Sequence, residues 1–407
     1  MNSRERVKKV LNREIPDMIP IDIGGTKCTG MNVFEYIKLC KYLGVDDGPP
    51  KAYDQFQMLA RIEPSILGWF GSDVFQIENL VESFGLKNKD WKIWRPHGDN
   101  DILMPGGFEP KTIATSYVIE DDAGKIIATM PQNGCFFDKE TIKDTFGDIK
   151  KADIKKLKEE LYMYDEEELS ILEKRAKFAF ENTEYSLHGG FLKGKLGSST
   201  GFAGHSFTEW LCILMIERDY AYELFEVVAD ATIENLKMYL QAVGKYIDTI
   251  LISTTDFGSQ RSEMVDPKII RDIYMPHFKR MNDFVHNNSD IKTFYHSCGS
   301  IANIIEDYIK IGADILNPIQ ISAAGMEPKK LKELHGDNII FWGGGVDTQQ
   351  VLQYGTQQQV AQSVKENIDV FGKNGGFVFS AVHNIQNGVP IDNLVAMVDT
   401  VKKYRIY

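Results

Sequence analysis

From about residue 185 onward, short runs of β-branched and aromatic residues alternate with longer segments whose apolar positions recur every three or four residues. The short runs are Tyr185–Leu187, Thr249–Ile252, Lys292–Tyr295, Ile315–Asn317, Ile339–Trp342 and Phe377–Phe379, and each ends near Gly, Asp, His or Asn. The longer segments, Thr208–Tyr246, Pro267–Asn287, Ile301–Ile311, Glu327–Leu334 and Gln357–Phe371, have helical spacing. Two earlier runs, Ile19–Ile23 and Val74–Ile77, bring the expected strands to eight. This rhythm belongs to an α/β fold with a parallel sheet covered by helices. No dinucleotide-type glycine fingerprint follows the first strand, so a closed (β/α)8 TIM-type barrel with an N-terminal helical extension is preferred to an open doubly wound sheet. The glycine-rich stretch Gly24-Gly25-Thr26-Lys27-Cys28-Thr29-Gly30 lacks Walker spacing and reads as a loop at the barrel mouth.

The rhythm breaks between Asn88 and Asp138. Short alternating strands and turn signals, Asp99-Asn100-Asp101 and Asp121-Asp122-Ala123-Gly124, predict a β-rich insertion over residues 88–138, after the second strand. Residues 150–182 form a highly charged segment with Leu157, Leu161, Leu169 and Leu172 at helical spacing, the mark of a largely solvated helical face. No internal repeat divides the chain, and residues 1–407 are expected to form one barrel domain carrying both additions.

Composition narrows the partners. Apolar residues at 43% and charged residues at 26% suit a globular core, and a net charge of -12 without a Lys/Arg-rich tract argues against nucleic acid. No apolar run approaches a membrane span. Met1–Arg6 opens a charged amphipathic helix rather than an apolar signal core, so a cytoplasmic protein without membrane attachment is expected. Five scattered cysteines fit reduced thiols: Cys28, Cys40, Cys135 and Cys212 read as small packing residues, and Cys298 is the exception. A homodimer is left open.

In a parallel barrel the strand C-termini and the loops after them line the active site. The polar residues there are Asp22, Glu78, His188, Asp256, His296, Cys298, Asn317, Gln320, Asp347, His383, Asn384 and Gln386. His296 and Cys298 stand two apart just past the fifth strand, where both side chains can enter one cavity, and imidazole with thiolate suits zinc. His383, leaving the eighth strand, is the candidate third ligand. Three protein ligands leave a position open, the pattern of a catalytic zinc. Asp256 or Glu78 would supply a carboxylate as fourth ligand, ligand-orienting partner or base. Asp22, His188, Tyr295, Asn317, Gln320 and Gln386 are candidate substrate contacts, and Tyr295, Trp342 and Phe379 candidate pocket aromatics. The plainer alternative makes His296 and Cys298 packing residues.

The runs Phe294-Tyr295-His296-Ser297-Cys298-Gly299, Gly312-Ala313-Asp314-Ile315-Leu316-Asn317-Pro318-Ile319-Gln320, Trp342-Gly343-Gly344-Gly345-Val346-Asp347-Thr348 and Asn387-Gly388-Val389-Pro390-Ile391-Asp392-Asn393 resemble the uroporphyrinogen decarboxylase superfamily, from about Tyr185 to the last residue. The resemblance implies a (β/α)8 barrel with one of two chemistries: cofactor-free porphyrinogen decarboxylation, or zinc-dependent methyl transfer with corrinoid proteins. The decarboxylases carry an arginine-rich N-terminal loop, whereas Asp22-Ile23-Gly24-Gly25-Thr26-Lys27 offers no arginine. The methyltransferases carry a His-x-Cys pair matched by His296 and Cys298, with a later Cys where this chain has Val382-His383-Asn384. Replacing a thiolate by imidazole raises the charge of the centre by one. The resemblance therefore implies a zinc enzyme that moves a methyl group from a small methoxylated or methylated substrate to a corrinoid protein. The chain has no Asp-x-His-x-x-Gly cobalamin signature, so the corrinoid would arrive on a separate protein. A thiol-methylating enzyme and a metal-free decarboxylase or lyase are the alternatives.

Overall fold

The computed structural model describes residues 1–98, 100–139, 151–190 and 202–407; Asp99 of the first expected turn and Lys150 at the start of the charged segment lie outside these. Seven parallel strands, Val74–Ile77, Ser186–Gly189, Thr249–Ser253, Lys292–His296, Ile315–Asn317, Ile340–Trp342 and Phe377–Val378, pair in chain order into one curled sheet. The two edges meet across the first expected strand. Ile21 bridges Phe379 in parallel, Phe379 N–H donates to Pro20 O and Asp22 N–H to Phe379 O (both 2.8 Å), and Asp73 N–H donates to Ile21 O (2.7 Å). This eighth position is a bridge rather than a ladder, and Pro20, with no N–H to donate, limits the pairing there.

Alternation along the strands sorts the side chains into two layers. Val74, Leu251, Phe294, Ile315, Ile340, Trp342 and Val378 fill the barrel together with Val7, Val10 and Leu11 of the first helix, Ser3–Leu11. That helix is started by a capping box between Asn2 and Glu5 and places its buried stripe at i, i+3, i+4 spacing across the bottom of the barrel. Each such aliphatic side chain contributes on the order of 1.5–3 kcal/mol by leaving water. The outward-facing strand residues pack under the surrounding helices.

Two long expected helices are each divided. The first splits at Glu217 into Phe207–Ile216 and Arg218–Val243. The second splits at Tyr274 into Pro267–Ile273 and Met275–Asn288, where Pro276 has no amide for the helical ladder. Ile301–Ile311 shortens to Ile305–Lys310, while Gln357–Phe371 forms as expected. Inside residues 88–138, Lys92–Trp94 pairs with Ile102–Met104, and Lys111–Ile113, Ser116–Glu120, Ile126–Pro131 and Asp138–Lys139 make a four-stranded antiparallel sheet. A short pairing of Ala52–Asp54 with Leu59–Ala60 has no counterpart in the sequence pattern. In the charged segment, Ile154–Glu160 buries no side chain, and Glu166–Asn182 buries Glu168, Leu172, Ala176 and Ala179. Among the described residues, no helix is long and apolar enough to cross a membrane.

Candidate metal centre

His296 is the last residue of its strand, and the two-residue period decides what surrounds it. Phe294 points into the barrel, its ring 5.1 Å from that of His188 and 5.4 Å from that of Trp342. His296, two residues on, faces the same way. Tyr295 faces the opposite layer and donates its hydroxyl to Asn282 Oδ1 (2.8 Å), between the strand and the Met275–Asn288 helix. The candidate substrate contact Tyr295 is therefore placed away from the mouth.

The His296 ring is oriented by a chain of hydrogen bonds. Asn317 Nδ2 donates to Trp342 O (2.8 Å), which makes its Oδ1 the acceptor for His296 Nδ1–H (2.5 Å). In the neutral ring the proton on Nδ1 leaves the Nε2 lone pair free, and Nε2 lies 3.4 Å from Cys298 Sγ. The His383 ring centre is 5.2 Å from that of His296. The ligand atoms of His296, Cys298 and His383 all lie within 4.8 Å of one another. Zinc bonds of about 2.0–2.3 Å put tetrahedral ligand atoms roughly 3.3–3.8 Å apart, so the donors need to draw together by no more than about 1.5 Å. One sulfur and two nitrogens, with one imidazole already held in the ligating tautomer, fit zinc.

The loops around the trio are tightly fitted. Cys298 N–H donates to Asp256 Oδ1 (2.7 Å), which is 3.8 Å from His296 Nε2. Gly299 N–H donates to Gln320 Oε1 (2.8 Å), and Ser297 N–H to Asn317 O (2.9 Å). The approach of the Asp256 loop to Cys298 needs glycine at Gly299, where φ is +85° and a Cβ would stand 2.2 Å from the Gly258 carbonyl carbon. His383 has φ +70° without being glycine, a backbone conformation costing on the order of 1 kcal/mol or more.

Burial governs the titration of the site. It pushes His383 down to about 4, helped by the neighbouring His296, so His383 stands neutral with a lone pair to give. Burial pushes the Cys298 thiol up, and His296 draws it back. For His296 burial works against the charged form, but the Cys28 and Cys298 thiols beside it outweigh this and displace it upward.

The remaining candidates divide. Asp256, Asn317 and Gln320 gather around His296 and Cys298 through the bonds above. Asp22 is buried behind them, accepting from Trp342 Nε1 (2.7 Å) and Gly25 N–H (2.9 Å), with burial raising it to about 6. His188 sits inside the barrel against Thr249 Oγ1 (2.8 Å), lowered to about 3 by burial. Glu78 is engaged by Arg61, whose Nε lies 2.8 Å from Oε1. Gln386 is exposed. Asp256 also lines a small cavity of about 20 Å³, whose wall includes Phe207, Trp210, Leu214, Phe257 and Tyr274. These aromatics, rather than Tyr295, Trp342 and Phe379, border the space beside the centre. They come from the Phe207–Ile216 helix and the loops nearby, which no strand-end pattern marks.

No curated protein matches the chain. A methyltransferase from Methanosarcina mazei has a similar solved structure, with a TM-score of 0.58, 15% identity and 99% of each chain covered, a likeness of fold. An endo-1,4-β-xylanase from Caldicellulosiruptor owensensis overlaps less, with a TM-score of 0.34, 10% identity, and 58% of this chain and 84% of that one covered. A 7,8-dihydropteroate synthase from Vibrio fischeri reaches a TM-score of 0.26 at 19% identity, over 37% of this chain and 55% of that one. Residues 199–404 match the uroporphyrinogen decarboxylase (URO-D) family model, a span that holds all three clustered donors, and the chain belongs to that family.

Proposed function

We propose that this protein is a zinc-dependent methyltransferase that moves a methyl group from a small methoxylated or methylated substrate to a corrinoid carried by a separate protein. The observation that carries the reading is the convergence of His296, Cys298 and His383 at the barrel mouth, with their ligand atoms within 4.8 Å of one another. Zinc held there supplies Lewis-acid polarisation of the oxygen or nitrogen that bears the methyl group. The likeness to the Methanosarcina mazei methyltransferase over 99% of both chains supports the same branch of the family.

The protein's own groups do the positioning. Asn317 fixes the His296 tautomer, and Asp256 holds the Cys298 backbone through its N–H. One thiolate and two imidazoles leave a divalent ion with a net charge of about +1, which favours an electron-rich donor atom. Asp256 also borders the small aromatic-walled cavity, so it is the group that the centre and that cavity share. In the free protein Asp256 is the carboxylate best placed to take or give a proton there.

Zinc content should be about one per chain. Chelation should abolish demethylation of a panel of aryl methyl ethers and methylamines with cob(I)alamin as acceptor, and zinc should restore it. Unchanged turnover after the metal is removed would sink this reading.

A further inference from the structure

The second barrel strand carries a carboxamide into the same mouth. Val74 fills the barrel and Phe75 packs outward against Tyr185, so Gln76, two residues after Val74, points inward, and it is only 6% exposed. It pairs in register with His188, whose ring lies 5.1 Å from that of Phe294. One step nearer the mouth, two residues on from His188 and Phe294, stand Gly190 and His296. Where the fifth strand presents a candidate ligand, the third presents no side chain. A Cβ on Gly190 would stand 3.5 Å from Gln76 Nε2 and 2.8 Å from Ile77 O.

The two polar atoms of the Gln76 carboxamide are treated unequally. Oε1 accepts from the Tyr53 hydroxyl (3.2 Å), and Tyr53 is itself held, its carbonyl taking Gln55 Nε2 (2.9 Å) and Asn88 Nδ2 (2.8 Å). Nε2 is buried and has no partner among the described residues. A buried donor left unpaired costs free energy, and folded proteins seldom keep one without a use. Tyr53 thus turns the nitrogen toward the gap beside Gly190, much as Asn317 orients the His296 ring. We propose that Gln76 binds the substrate and sets its specificity: Nε2–H donates to an oxygen of the methyl donor other than the atom that bears the methyl group. The preferred substrates then carry a second oxygen acceptor, a hydroxyl, carbonyl or ether. This rests on the methyl-transfer reading above and adds a specificity element to it. The donor is fixed at two points across the mouth, its methyl-bearing atom beside the His296 cluster and its second oxygen at Gln76. A donor without that oxygen leaves Nε2 buried and unpaired, which is how such a site discriminates.

The test compares methyl donors that differ by one oxygen. Zinc-loaded full-length protein is assayed with cob(I)alamin on the three methoxyphenols against methoxybenzene, and on dimethylaminoethanol against ethyldimethylamine. It is taken as wild type and as Gln76→Met, which keeps the length of the side chain and removes its N–H. The wild type should favour the oxygen-bearing member of at least one pair about tenfold in kcat/KM, and Gln76→Met should bring that ratio to about one, through a rise in KM rather than a fall in kcat. Zinc content should stay the same in both. A wild type that turns over both members of each pair equally overturns the role of Gln76 and leaves the methyl-transfer reading standing, a result that needs no variant to fold. A preference that survives in Gln76→Met overturns that role as well. Protein that demethylates none of these donors overturns the methyl-transfer reading and this inference with it.

Discussion

Both ends of the barrel bury polar groups, and the two ends use them in opposite ways. At the bottom, Asp73 takes Arg6 Nη1 (2.6 Å) and Ser3 Oγ (2.7 Å) on one oxygen, and Arg405 Nη2 and Ile21 N–H (both 2.9 Å) on the other. Asp17 accepts a second branch of Arg6 at 2.8 Å. Charge there meets opposite charge, and the first helix, the first strand and the end of the chain are tied into one corner. At the mouth, His296, Cys298 and His383 use their outer hydrogen bonds for alignment and point their remaining lone pairs at a common volume. Satisfied pairs at one end read as stability, and convergent unshared donors at the other read as function.

The largest effect should come from breaking the mouth. Cys298→Ala or His296→Ala should bring zinc content from about one per chain to near zero and lower methyl transfer on the order of a thousandfold. The melting temperature of the metal-free protein should barely move. Full zinc in Cys298→Ala would remove that residue as a ligand. Breaking the bottom should give the inverse pattern: Asp73→Ala leaves Arg405 without its carboxylate and Arg6 with Asp17 alone, and should cost about 3–5 kcal/mol in denaturant unfolding while zinc content stays at one. If the metal is lost as well, the two ends are not independent.

A finer probe is Asn317→Ala, which removes the acceptor that fixes the His296 tautomer without touching a donor. Zinc affinity should fall roughly 10–100-fold in competition with a chelator. The smallest effect concerns His188, inside the barrel between the two ends. Its folded value of about 3 lies below the ordinary 6.5, so as the pH falls through 6.5 the unfolded chain takes up a proton that the folded chain refuses. Stability should therefore drop by about 1 kcal/mol between pH 7.5 and 5.5 through this residue. His188→Asn should flatten that part of the pH dependence by the same amount. An unchanged slope would show that His188 is not the source.

Strand positions were legible because a parallel barrel repeats one simple pattern, and the observed strands fall on the expected runs within a residue or two. The helix breaks were less so: Pro276 announces one in the sequence, while the break at Glu217 has no comparable mark. At the site, the His296–Cys298 spacing and the strand-end position of His383 could be read directly. Tyr295 could have been excluded by the same alternation that admits His296, since neighbours on a strand face opposite layers. The aromatic wall beside Asp256 was hidden for a different reason: Phe207 and Trp210 reach it from a helix, through long-range packing that local pattern does not carry.

Asn317 is followed by Pro318, and that pairing bears on how the protein ages. The site depends on a carboxamide with an oxygen toward His296 and a nitrogen toward Trp342, so conversion to aspartate would keep the shape and erase the direction. Asparagine usually deamidates when the next backbone nitrogen attacks its side chain, which requires an N–H. Proline has none. The residue that orients the candidate ligand is thereby shielded from the commonest slow chemical lesion of asparagine by its own neighbour.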